Sequence, residues 1–193
     1  MKKTEGVKIL TGEPEKALIK LSLPMMISNL TFTLYNFADG AWVSGLGAEA
    51  LSAIGIFLPI FMMFMSLSMG LGVGAGSAIS RRIGAEDKSG ADNTAVHAYL
   101  MAVLIGFVIT LSYLKLEEML SIIGADGAVL DLAVTYSRII ILGSIFLVFI
   151  NVSLGILNGE GNAKRAMYAN VSGLLLNILL DPILIYAFNL GIA

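Results

Sequence analysis

Residues 23–47 read LPMMISNLTFTLYNFADGAWVSGLG. This stretch is long and apolar enough to cross a bilayer, which needs about 20 residues of helix. Near its far end stands a lone carboxylate, Asp39. A charge at the centre of a spanning helix costs about 2.5–3.5 kcal/mol on insertion scales, so an acid at such depth marks function. Trp42, three residues on, marks the interface, where aromatic rings collect.

Working outward, the whole 193-residue chain has this character. It is 57% hydrophobic and only 13% charged, with a mean hydropathy of +0.87. Soluble domains carry about 25% charged residues. The charges fall between apolar runs, as in an all-α polytopic membrane protein. The net charge of −2 gives no field for nucleic acid, and the absence of cysteine excludes disulfides, thiolate metal sites and cysteine catalysis. The first 20 residues lack an apolar core followed by a small-residue cleavage site, so no removable signal peptide is expected.

Five spanning helices are expected, at about 15–44, 51–83, 94–114, 128–157 and 165–189, after a cytoplasmic N-terminal arm over 1–13. The first holds Pro24, which removes a backbone donor and bends the helix, as a static kink or as a hinge. In the second, the run SMGLGVGAGSAIS has neither the strand-to-helix turn nor the lysine of a phosphate loop; Gly70 and Gly74, and Gly72, Gly76 and Ser80, read as close helix packing. Residues 81–93, RRIGAEDKSGADN, form a polar loop, with Asp92 or Asn93 as cap of the third helix. His97 has no histidine or cysteine neighbour and reads as interfacial. KLEEMLSIIGA is amphipathic and lies along the outer surface. Asp131 and Arg138, two turns apart, read as a salt bridge or headgroup contact.

Lysine and arginine crowd one side: Lys2, Lys3, Lys8, Lys16, Lys20, Arg81, Arg82, Lys88, Lys164 and Arg165, against Lys115 on the other. The bias places the N-terminus in the cytoplasm. The first and fifth helices then both run outward. Asp181 lies 16 residues beyond Arg165, or ~24 Å at ~1.5 Å per residue, a depth comparable to that of Asp39. Asn177 shares a face with Asp181, and Tyr35 and Asn36 precede Asp39 by four and three residues. Lipid offers no hydrogen bonds, so these groups face the bundle interior or a wet cavity. Two acids there have raised proton affinity, and with the Asn177 amide they match a hard cation such as Na⁺. Asp39, Asn177 and Asp181 are the candidate Na⁺ or H⁺ coupling site; no other cofactor is expected. The bland alternative is that Asp39 is merely interfacial and Asp181 caps backbone freed by Pro182.

Several motifs together resemble the bacterial and archaeal branch of the multidrug and toxic compound extrusion (MATE) family: LSLPMMISNL, NFADGAWVSGLGAEALSAIG, GLGVGAGSAISRRIGAED, NGEGNAKRAMYANV and LNILLDPILIY. The resemblance implies two six-helix lobes in the cytoplasmic membrane, around a cavity that exports organic cations or drug-like molecules in exchange for Na⁺ or H⁺. It also implies that Tyr136 and Asn151 join Asp39, Asn177 and Asp181, with Pro24 as a bend that responds to protonation. Five helices match where the family has twelve. The expectation is therefore a partial N-terminal lobe, cut before its sixth helix, surrounded by membrane lipid and inactive without the C-terminal lobe in the same or another chain.

Three rivals compete. A lipid-linked oligosaccharide flippase of the same superfamily would line its cavity with cations, whereas the buried charges here are acidic. An intramembrane aspartyl protease would show Tyr-Asp and Gly-x-Gly-Asp; Ala38 and Leu180 precede the two acids, so no enzyme is expected. A non-transporting module that packs against a partner remains.

Overall fold

A computed structural model of the protein describes residues 5–188. Among them every regular element is helical, and the expected all-α membrane bundle is what forms: α1 (Glu5–Leu10), α2 (Pro14–Ser44), α3 (Ala48–Gly84), α4 (Lys88–Leu111), α5 (Leu116–Ile122), α6 (Gly127–Leu142), α7 (Ser144–Gly159) and α8 (Ala163–Pro182). Four helical stretches are long and apolar enough to span a bilayer, and the pair α6 and α7 makes a fifth span bent by 51°. Residues 1–4 of the expected arm, Asn189 at the expected end of the fifth helix, and the Gly191–Ala193 ending lie outside the described residues.

Local chemistry sets the helix ends. Pro14 opens α2, where its missing N–H costs nothing, and Glu13 pairs with Lys16 at 2.8 Å across the first turn. Gly47, at φ +104°, makes the tight turn into α3. Arg81 and Arg82 close α3, facing the negative end of its dipole. The cap of α4 is Asp87, not Asp92 or Asn93: its carboxylate accepts the Gly90 N–H at 2.8 Å and the Arg82 guanidinium at 2.7 Å. These two bonds, the backbone one first, hold its carboxyl below the usual carboxylate range. The third helix therefore starts six residues before the expected Thr94. Asp92 is instead bound by Lys88 on the same helix.

α3 is the central element. With α4 and α7 it encloses one apolar core, including Ile79, Ala102, Val148 and Val152. With α5 and α6 it encloses a second, including Phe57, Leu116, Leu120 and Ile141. The amphipathic α5 thus seats Leu116 and Leu120 in a core while Glu117 and Glu118 stay exposed. Arg138 stands over the Tyr113 ring at 5.4 Å, and no ion pair among the described residues joins it to Asp131. His97 turns Nδ1 to the Asn93 carbonyl at 2.9 Å, and its side chain is exposed.

The glycine run is half packing surface. A methyl on Gly72 would stand 2.7 Å from the Asn151 carbonyl oxygen, and one on Gly76 would stand 2.5 Å from that of Gly155. Gly155 and Gly159 answer from α7, where a methyl would strike the Gly72 and Gly76 carbonyls. Two G-x-x-x-G pairs therefore meet backbone to backbone. Gly70 and Gly74 face open space, so the expectation of close packing fails for that pair.

The sequence reading has one helix over 128–157; the structure has two, joined at Gly143. At the bend, Ser144 and Thr110 place their hydroxyls 3.3 Å apart, and Thr110 donates to the Gly106 carbonyl at 2.9 Å. α2 and α8 stand apart from the central bundle and pack chiefly against each other. In α2 only Pro24, Thr31 and Val43 are buried. That pairing positions the site.

Candidate functional site

The two intramembrane acids lie on the two helices that form this pair. Asp39 is near the outer end of α2, and Asp181 is the penultimate residue of α8. Both are half-buried. They are close enough for the charge of Asp181 to act on Asp39. Tyr35, one turn before Asp39, lies in the field of both acids. Tyr136 of α6 lies in the field of Asp39 and Tyr35, and its ring stands edge-on to Phe57 at 5.9 Å. Tyr35, Asp39, Tyr136 and Asp181 therefore form one electrostatic group drawn from three helices.

Asn177 completes it. Its Nδ2 donates to Asp181 Oδ2 at 2.5 Å, the i,i+4 geometry expected from the sequence. That bond turns Oδ1 of the same amide away from the carboxylate. Asn177 Oδ1 is buried and has no hydrogen-bond partner. A buried acceptor without a donor costs roughly 1–3 kcal/mol, so such an atom calls for a ligand, a water or a proton. With two carboxylates nearby, the donor set is all oxygen, which suits a hard cation. No group of three or more His, Cys, Asp or Glu side chains is gathered among the described residues, so any cation held here would rely on amide and hydroxyl oxygens as well.

Two expected members make bonds of their own. Asn36 is exposed, and its Nδ2 donates to the Phe32 carbonyl of its own helix at 2.7 Å. Asn151 donates to the Leu147 carbonyl at 3.0 Å and reaches Met65 Sδ at 3.9 Å, which places it on the seam between α3 and α7. Pro24 is buried in α2, 15 residues before Asp39, or about 22 Å along the helix.

One contact was missed by sequence reasoning. The Tyr186 hydroxyl donates to the Trp42 carbonyl at 2.7 Å, and the two rings meet edge-on at 6.4 Å. This clamp ties the outer end of α2 to the π-helical turn Ile183–Ala187 that follows Pro182. The signal was present: Trp42 follows Asp39 by three residues and Tyr186 follows Asp181 by five, so both aromatics share the depth of the acids.

The MatE family model matches residues 24–183. Over 179 residues the chain is 31% identical to the multidrug export protein MepA of Staphylococcus aureus (strain NCTC 8325), covering 92% of this chain and 40% of that protein. It is 28% identical to MepA of Staphylococcus saprophyticus over the same shares. Among solved structures, a MOP superfamily transporter from Pyrococcus furiosus is 50% identical at a TM-score of 0.95, covering all of this chain and 43% of its own; its binding pocket is described as of reverse polarity, suggesting a different function. An outward-facing multidrug resistance MATE transporter of the MOP superfamily matches at a TM-score of 0.96 with 50% identity, over 100% of this chain and 43% of its own. The chain thus spans about 40% of the length of the relatives it matches. Matched by the family model over most of its length and by solved structures along all of it, this multi-pass membrane chain belongs to the MatE family of transporters.

Proposed function

We propose that the group formed by Tyr35 and Asp39 of α2, Tyr136 of α6 and Asn177 and Asp181 of α8 is the ion-coupling site of an exporter that trades Na⁺ or H⁺ for an organic cation or similar drug-like molecule. What carries this reading is the bonded pair Asn177–Asp181, with its orphaned amide oxygen, set in the field of Asp39. An acid pair in a low-dielectric cleft is costly while both members are charged. A proton on either acid, or a Na⁺ between them, removes that cost and favours a different packing of α2 against α8. An organic cation draws on the same charge, so ion and cargo compete for it. Competition between two ligands that favour different arrangements of one cavity is coupled exchange. For Na⁺, the ligands would be Asp39, Asp181 and Asn177 Oδ1; for H⁺, the carrier is a carboxyl of the same pair. Pro24 gives α2 a point where the backbone ladder lacks a bond and bending is cheap.

Alternating access needs two halves that move about a shared site. The α2–α8 pair is then one wall of such a cavity, and the facing wall belongs to a second lobe, in the same chain or in another. The multidrug export named for MepA supports drug-like cargo. The Pyrococcus furiosus relative favours a second reading of the cargo alone: at 50% identity it is credited with a pocket of reverse polarity, so a different solute would use the same lobe. Ethidium efflux from cells expressing this chain together with a C-terminal lobe tests both. Asp39→Asn and Asp181→Asn should abolish efflux while the protein remains monodisperse in detergent. Undiminished efflux in either variant refutes the site; no efflux with the acids intact, but transport of an anionic solute, favours the second cargo.

A further inference from the structure

At the other end of the bundle from the acids, a cavity of about 220 Å³ opens between α1, the first turns of α2 and the turn from α7 to α8. Its base is a backbone-on-backbone contact. Gly161 holds φ +76°, and a methyl there would stand 2.6 Å from the Gly6 carbonyl oxygen. Two lysines line the cavity from separate helices, Lys20 of α2 and Lys164 of α8. Other lysines are already engaged: Lys16 with Glu13, Lys88 with Asp92 and Lys115 with Glu118. Neither Lys20 nor Lys164 enters an ion pair among the described residues. The remaining wall is mixed, with Asn162 on one part and Ile9 and Leu21 on another. Two lysines lining one hollow whose wall is in part apolar suit a phosphate ester better than a bare ion.

We propose that this cavity binds the headgroup phosphate of one anionic phospholipid, clamped between Lys20 and Lys164. Two further features favour a lipid over free phosphate. The lysine-rich end of the bundle is the one that charge bias assigns to the cytoplasm, where basic pockets between spanning helices meet anionic headgroups. Leu23, Ile27 and Leu30 follow Lys20 at 3, 7 and 10 residues, which is one stripe of a helix, and all three are exposed. An acyl chain leaving a headgroup at Lys20 has that stripe to lie on. Lys20 is 19 residues from Asp39, roughly 28 Å along α2, so the site stands whether or not the coupling reading does.

The purified chain, delipidated in dodecyl maltoside, is mixed with phosphatidylglycerol or phosphatidylcholine and examined by native mass spectrometry. One phosphatidylglycerol should be retained, at least tenfold more tightly than phosphatidylcholine. Lys20→Gln with Lys164→Gln should lower that retention at least tenfold, while Lys20→Arg with Lys164→Arg keeps it and Lys88→Gln leaves it unchanged. Equal retention of the two lipids, equal retention by the glutamine variant, or loss in a folded arginine variant overturns the proposal. So does inorganic phosphate alone raising the unfolding temperature as much as phosphatidylglycerol, which would give the site to a free anion.

Discussion

Within one glycine run, substitution by alanine should have opposite effects at alternate positions. Gly72 and Gly76 face α7, whereas Gly70 and Gly74 face open space. Ordinary contact for a Cβ begins at 3.4 Å, against 2.7 Å available at Gly72 and 2.5 Å at Gly76. The obstructing atoms are backbone, so no side chain can swing aside. α3 and α7 must then separate by roughly 0.7 Å for Gly72→Ala and roughly 0.9 Å for Gly76→Ala; a gap of roughly 0.5–1 Å forfeits a quarter to a half of each dispersion contact along the seam. The cost should be about 1–3 kcal/mol for each variant. Gly70→Ala and Gly74→Ala meet nothing and remove only the conformational freedom of glycine, so they should be neutral or stabilise by up to about 1 kcal/mol. Gly155→Ala, on the other face of the seam, brings its methyl still closer to the Gly72 carbonyl and should cost at least as much as Gly76→Ala, and the double variant should cost less than the sum because one separation serves both. Reversible unfolding in mixed dodecyl maltoside and SDS, followed by circular dichroism, measures all of these. Equal effects at 70, 72, 74 and 76 would refute the backbone-to-backbone seam.

Asn177→Ala removes the amide that holds Asp181; a hydrogen bond to a charged group is worth about 1.5–3 kcal/mol, so coupling-ion affinity should fall roughly tenfold to a hundredfold, read as a shift in the Na⁺ or pH dependence of efflux. Tyr186→Phe should cost about 0.5–1.5 kcal/mol and speed hydrogen exchange at Val43–Leu46, the outer end of α2, leaving Pro14–Leu21 unchanged. Asp87→Ala should destabilise the start of α4 at neutral pH. The folded carboxyl is held below its usual range, so its contribution is complete above the ordinary carboxylate pKa and fades as pH falls through the depressed one. The stability difference between wild type and Asp87→Ala should therefore be constant from pH 7 to 5 and shrink on further acidification; a difference that grows there refutes the cap.

The class and the Asn177–Asp181 bond were legible because their signals are local. A run such as Leu23–Gly47 has one stable fate in lipid, a helix with every backbone group satisfied internally. An acid in such a run stands out, and i,i+4 spacing alone predicts Asn177 on Asp181. Asp87 as a cap was also legible, but Asp92 and Asn93 compete for the role on propensity, and Arg82 at the end of the preceding helix decides it. The bend at Gly143 was not legible. Glycine is tolerated in straight spanning helices, and only packing of Ile141 into one core and Val148 into the other makes the axis turn there.

By itself, then, the chain specifies which segments are long and apolar enough to cross a bilayer, that its basic residues gather between them toward one end, and that Asp39 and Asp181 stand inside two such segments, because each depends on transfer energies summed along short stretches. Tertiary structure alone decides which polar groups meet: Tyr136 with Asp39, Asn151 with Met65, Gly72 against the Asn151 backbone, and Tyr186 against Trp42. Those pairings are selected by the rotation of each helix about its axis. A few tens of degrees carry a side chain from cleft to lipid, and that angle is set by what the opposite face packs against, not by any sequence window around the residue.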